Sequence, residues 1–116
     1  MVEKIVSPAV FGGGENFRRM LKDIEERYSN VFAEVGPGSL GDFKHLVDCI
    51  NGFLDLLADP KTDFRVKLMD YGKVKSGVFE FCRYYARLLG NLLMERLKHE
   101  IYELLELAEV YDELER

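Results

Sequence analysis

From Phe17 to Leu57 the apolar side chains return every three or four residues, and a chain with that rhythm folds into amphipathic α-helices. Phe17, Met20, Leu21, Ile24, Tyr28, Val31, Phe32 and Val35 lay one stripe along a helix over 15–35. Gly36-Pro37-Gly38 stops it. Ser39 reads as the N-cap of a second helix over 40–58, with Asp42 three residues on in a capping-box position. Phe43, Leu46, Val47, Ile50, Phe53, Leu54 and Leu57 form its apolar face. Asp59-Pro60 ends it, because the residue before a proline is pushed out of the α region.

Thr62 or Asp63 opens a short third helix over 62–71, with Phe64, Leu68 and Tyr71 on its core face and Gly72 as its break. A fourth helix over 76–114 follows, ~57 Å long at ~1.5 Å per residue. The alternative is one helix kinked between Gly72 and Gly77. Two earlier helices of ~30 Å cannot cover so long a partner. Its second half is nevertheless apolar. Leu97, Ile101, Leu104, Ala108 and Tyr111 step as a heptad seam, flanked by Leu93, Leu107, Val110 and Leu114. That seam is the predicted interface with another chain. The expected fold is all-α, a four-helix antiparallel bundle of three long helices and one short, the last helix being the longest. It forms a single domain over 1–116, with residues 1–14 as an N-terminal arm and glycine hinge.

The chain's 116 residues are 47% hydrophobic and 32% charged, enough for a core and too apolar for disorder. The absence of a run of ~20 apolar residues and of a signal-peptide core points to the cytoplasm. Cys49 and Cys82 are then expected as reduced thiols. No glutamine, no tryptophan and a single threonine, beside abundant Glu, Lys, Arg and Leu, suggest a thermophile source.

Catalytic patterns are thin. Gly12, Gly13 and Gly14 have no following Lys-Ser/Thr pair, so they make a hinge and not a P-loop. His45 and Cys49 share one helix face, but Cys82 and His99 lie ~25 Å apart on one continuous helix, which breaks up a zinc set. Glu95 and His99 miss the Glu-x-x-His spacing of di-metal bundles by one residue. None of the four serines sits in a Gly-x-Ser-x-Gly elbow. Glu106-x-x-Glu109 and Glu109-x-x-Asp112 have the spacing of the magnesium motifs in small all-α nucleotide pyrophosphatases, but both lie on one helix. A magnesium-dependent hydrolase of that kind is therefore an alternative only, and no catalytic residue, metal ligand or cofactor is assigned.

The charge layout is the least ordinary feature. Residues 1–60 carry 6 basic and 10 acidic side chains, 61–98 carry 9 and 4, and 99–116 carry 1 and 7, within a net charge of −5. The basic block with its aromatics allows RNA or DNA binding through Lys73, Lys75, Arg83, Tyr84 and Arg87. Solvated charges over a core of aromatics, or a basic block that meets the acidic tail, account for the same pattern more simply. An acidic helix C-terminus opposes the helix dipole and needs a compensator. Two copies packed antiparallel would bring each acidic end to the other's basic start. The leading expectation is a non-enzymatic assembly or interaction protein, a homodimer or a subunit of a larger complex, pairing through Leu97, Ile101, Leu104, Ala108 and Tyr111, with nucleic acid as the alternative partner.

Overall fold

The computed structural model describes residues 14–115, and all four elements in it are α-helices. They are α1 (Gly14–Val35), α2 (Pro37–Ala58), α3 (Phe64–Leu89) and α4 (Asn91–Glu115). The predicted arm and the rest of the glycine hinge lie outside the described residues; Gly14 opens α1. The all-α bundle expected from the periodicity is what the chain forms. Consecutive helices run antiparallel. Lys44 meets Glu25 at 3.2 Å across α1 and α2, and Tyr85 meets Asp42 at 2.7 Å across α2 and α3. Lys67 meets Asp112 at 3.1 Å across α3 and α4, and Tyr28 meets Glu100 at 2.8 Å where α4 closes on α1. This is the up-down-up-down arrangement that short connections favour.

The second half differs from its expected boundaries. The helices expected over 62–71 and 76–114 are instead α3 and α4, of 26 and 25 residues, so no helix is short and none is markedly long. The molecule's longest extent, 42 Å, is less than the ~57 Å a single helix over 76–114 needs. Helix α3 continues through Gly72 and Gly77 because its buried stripe of Lys67, Val74, Val78, Cys82 and Tyr85 never loses phase. The break falls at Gly90, whose φ of 98° and ψ of 147° suit glycine and strain any residue with a Cβ. At the α1–α2 junction Gly36 also has positive φ, and Pro37 opens α2 at the first helical position. Ser39 therefore lies inside the first turn of α2, and no side chain caps it.

Once the chain doubles back at Gly90, the heptad seam turns inward. Leu97 and Leu104 are 0% exposed, and Ile101 and Ala108 are buried beside them. Tyr111 is half-buried, its ring edge-on to Phe17 at 5.5 Å. Four of the five predicted interface residues are core residues of one chain and Tyr111 packs at the core's edge, which corrects the reason for assigning them to a second. At the other end of the bundle Phe32 stacks on Phe43 at 4.6 Å and meets Tyr85 edge-on at 5.3 Å. Aromatic pairs in these geometries add to the burial of their faces.

Candidate functional site

The residues predicted for nucleic acid divide, Lys75 lying on a different side of α3 from Lys73 and Tyr84. Lys75 turns toward α4, over the rings of Tyr71 and Tyr102 at 5.4 and 4.9 Å, with Glu106 at 3.9 Å. Lys73 and Tyr84 line the opposite, α2-facing side of α3. Arg83 is exposed and pairs with Glu80 at 3.7 Å, and Arg87 lies in the last turn of α3. Phe81 and Tyr85 pack against one another and against Phe32 in the interior.

The acidic tail is engaged as well. Asp112 is buried against Lys67, and Glu106 faces Lys75, so two of α4's carboxylates meet basic side chains of α3 in the same chain. Neither expected magnesium motif stands clear of these cations. Cys82 is buried, and burial pushes its thiol up to about 12. Cys49 is exposed, 3.8 Å from His45 Nε2. The four residues weighed for zinc are therefore not brought together, and no group of three His, Cys, Asp or Glu among the described residues could hold a metal ion.

What the fold does build is a groove between α2 and α3 of about 890 Å³. Leu46, Phe53, Leu56, Val74 and Phe81 give it an apolar base, and Asp42, His45, Asp70, Lys73, Glu80 and Tyr84 stand along it. Two heptad-spaced stripes face each other here. Asp42, His45, Cys49, Gly52 and Leu56 come from α2, and Asp70, Lys73, Gly77, Glu80 and Tyr84 from α3. Each wall carries a glycine, Gly77 at the middle of the α3 stripe and Gly52 one step beyond the middle of the α2 stripe. A Cβ at Gly52 or Gly77 would meet nothing within 4 Å, so packing within the chain does not call for either. A glycine inside a helix is ~1 kcal/mol less favourable than alanine. Their effect is to leave the two walls bare where another backbone could approach closely.

No known protein family, curated protein or solved structure matches this chain.

The site's own chemistry therefore carries the reading. Tyr85 donates a hydrogen bond to Asp42 Oδ2 at 2.7 Å, and burial with that carboxylate raises its phenol. Asp42 is thus committed to holding α2 against α3. Beside His45 and Cys49 the remaining polar groups are spaced along the rim, an arrangement that recognises a surface better than it converges on a reacting atom. The sequence does carry this signal: a second stripe of heptad spacing on each helix, with a glycine in it. It is masked because the α3 stripe is polar at both sides of Gly77 and the α2 stripe is polar over Asp42 and His45. Among the described residues no helix is long and apolar enough to cross a membrane.

Proposed function

We propose that this chain is a non-enzymatic helical-bundle interaction protein that works by assembly, with the α2–α3 groove as its contact surface. The observation that carries the reading is the apolar groove of about 890 Å³ whose two walls are left bare at Gly52 and Gly77. An amphipathic helix laid into such a groove buries its apolar face on the base and meets the polar rim with its flanks. The exposed thiol of Cys49 supports a reducing, cytoplasmic setting.

The test is the native mass of the chain in extracts of the cells that make it, followed by gel filtration and immunodetection. Gly52→Trp fills the groove without meeting an atom at its Cβ. The wild-type chain is expected to elute well above the mass of one chain, and Gly52→Trp to shift toward that mass. Elution of both as single chains would overturn the reading.

A further inference from the structure

The α2-facing stripe of α3, extended at the same helical phase to Val66 and Leu88, is symmetric about Gly77. Val66 and Leu88 lie eleven residues either side, Asp70 and Tyr84 seven, and Lys73 and Glu80 four and three. The outer members are exposed apolar residues, Val66 at 46% and Leu88 at 56%, and Tyr84 is 58% exposed. Inside them are a carboxylate and a phenol, and inside those a cation and an anion. Lys73 has no ion pair among the described residues, and Glu80 has only the exposed Arg83 at 3.7 Å. A stripe that reads this way complements its own reverse.

We infer that two copies of this chain pair across a twofold axis at Gly77, α3 antiparallel to α3, each α3 resting in the other's α2–α3 groove. Lys73 then lies beside the partner subunit's Glu80 and Glu80 beside the partner subunit's Lys73. Asp70 faces the partner subunit's Tyr84, whose hydroxyl can donate to a carboxylate oxygen, and Val66 packs on the partner subunit's Leu88. The arrangement is isologous, the form most homodimers take. Gly77 stands at the crossing point, where a missing side chain lets two helices approach, and Gly52 clears the α2 wall for the incoming helix. A parallel pairing would set Lys73, Asp70 and Glu80 each against its own copy, which like-charge repulsion disfavours. Helix α3 is ~39 Å long and α2 ~33 Å, so a strip of the two at ~10 Å each covers about 700 Å² per protomer. That is close to the ~800 Å² per partner of a standard stable interface. The pairing rests on the reading of the groove as a contact surface and names its occupant.

The experiment is sedimentation equilibrium on the purified full chain, for the wild type, Lys73→Glu, Glu80→Lys, the double reversal and Gly77→Trp. Far-UV circular dichroism confirms that each variant is folded. The wild type is expected as a dimer whose Cys49 is alkylated more slowly as concentration rises. Each single reversal turns two attractions into two repulsions and should weaken dimerisation roughly tenfold. The double reversal should restore it to within about threefold of the wild type. Gly77→Trp should sediment as a folded monomer. A wild type that stays monomeric at every concentration overturns the dimer, while assembly in cell extract that Gly52→Trp abolishes would leave the groove reading standing with a different partner. A dimer indifferent to all these variants overturns both the axis at Gly77 and the role of the groove in it. A dimer lost in Gly77→Trp but not rescued by the double reversal overturns the antiparallel register.

Discussion

Lys67 draws three helices together. Its Nζ donates to the Leu57 carbonyl at 2.9 Å, one of the carbonyls that the C-terminus of α2 leaves without an intrahelical partner. It also donates to both carboxylate oxygens of Asp112, at 3.1 and 3.4 Å, near the acidic end of α4. One ammonium thereby opposes two helix C-termini, where positive charge is favourable. Lysine is rarely buried without partners, and here the residue is 6% exposed. Taking one member from a buried ion pair is far worse than replacing both. Lys67→Met should therefore lower unfolding stability by about 3–5 kcal/mol in a denaturant titration. Lys67→Met combined with Asp112→Leu should recover most of that loss. A double variant no better than the single would show that the loss of the pair itself, and not the charge left on Asp112, accounts for the effect. The sequence gives no warning of this residue: a lysine among Arg65, Val66 and Leu68 reads as solvated until the fold places Asp112 opposite it.

At the scale of the elements, α1 was legible almost to the residue and α2 at its end, because each has an unbroken apolar stripe and a Gly-Pro or Asp-Pro stop, while α2 starts three residues earlier than expected, at Pro37. Helices α3 and α4 were not, and glycine is the reason. Gly72 and Gly77 look like breakers, yet an interior glycine only weakens a helix by ~1 kcal/mol, and the stripe from Lys67 to Tyr85 offsets it. Gly90 looks unremarkable, since Leu89, Leu93 and Leu97 carry the apolar period straight across it. Periodicity survives a tight reversal when both helices face the same core, so it cannot locate the turn. The two kinds of glycine should respond to alanine with opposite sign. Gly90→Ala should destabilise by about 1–3 kcal/mol, because φ of 98° with ψ of 147° is essentially a glycine conformation. Gly72→Ala should stabilise by about 0.5–1 kcal/mol, because its Cβ would meet nothing within 4 Å inside a regular helix. Denaturation midpoints compared side by side decide it; equal shifts in the same direction would show that neither backbone conformation matters.

For the whole molecule, the charge blocks were legible and their destination was not. An acidic helix end beside a basic middle requires compensation, and the hairpin at Gly90 achieves it within one chain through Lys67 with Asp112 and Lys75 with Glu106. The remaining closure, of α4 onto α1, has an electrostatic clasp of its own. Glu100 accepts hydrogen bonds from Arg27, at 3.2 Å from one guanidinium nitrogen, and from the Tyr28 hydroxyl at 2.8 Å. The Arg27 hydrogen bonds, aided by Tyr28 and opposed by partial burial, hold the Glu100 carboxyl below its ordinary range, while burial and Glu100 together raise Tyr28 to about 12. A carboxyl whose pKa is lower folded than unfolded binds fewer protons in the native state, so its contribution to stability is complete above the ordinary glutamate value of ~4.3. That contribution is lost as pH falls through the lowered native value. Glu100→Gln keeps one oxygen that Arg27 and Tyr28 can share, and removes the charge together with the second acceptor that Arg27 uses. Because Arg27 is largely in solvent, the loss at neutral pH should be about 0.5–1 kcal/mol, a drop of a few degrees in melting temperature. The gap between wild type and variant should narrow as pH is lowered below the glutamate range and close beneath the native value. Melting curves collected from neutral to strongly acid pH measure it directly, and a gap that stays constant across that range would mean that the Glu100 charge does not help to close the bundle.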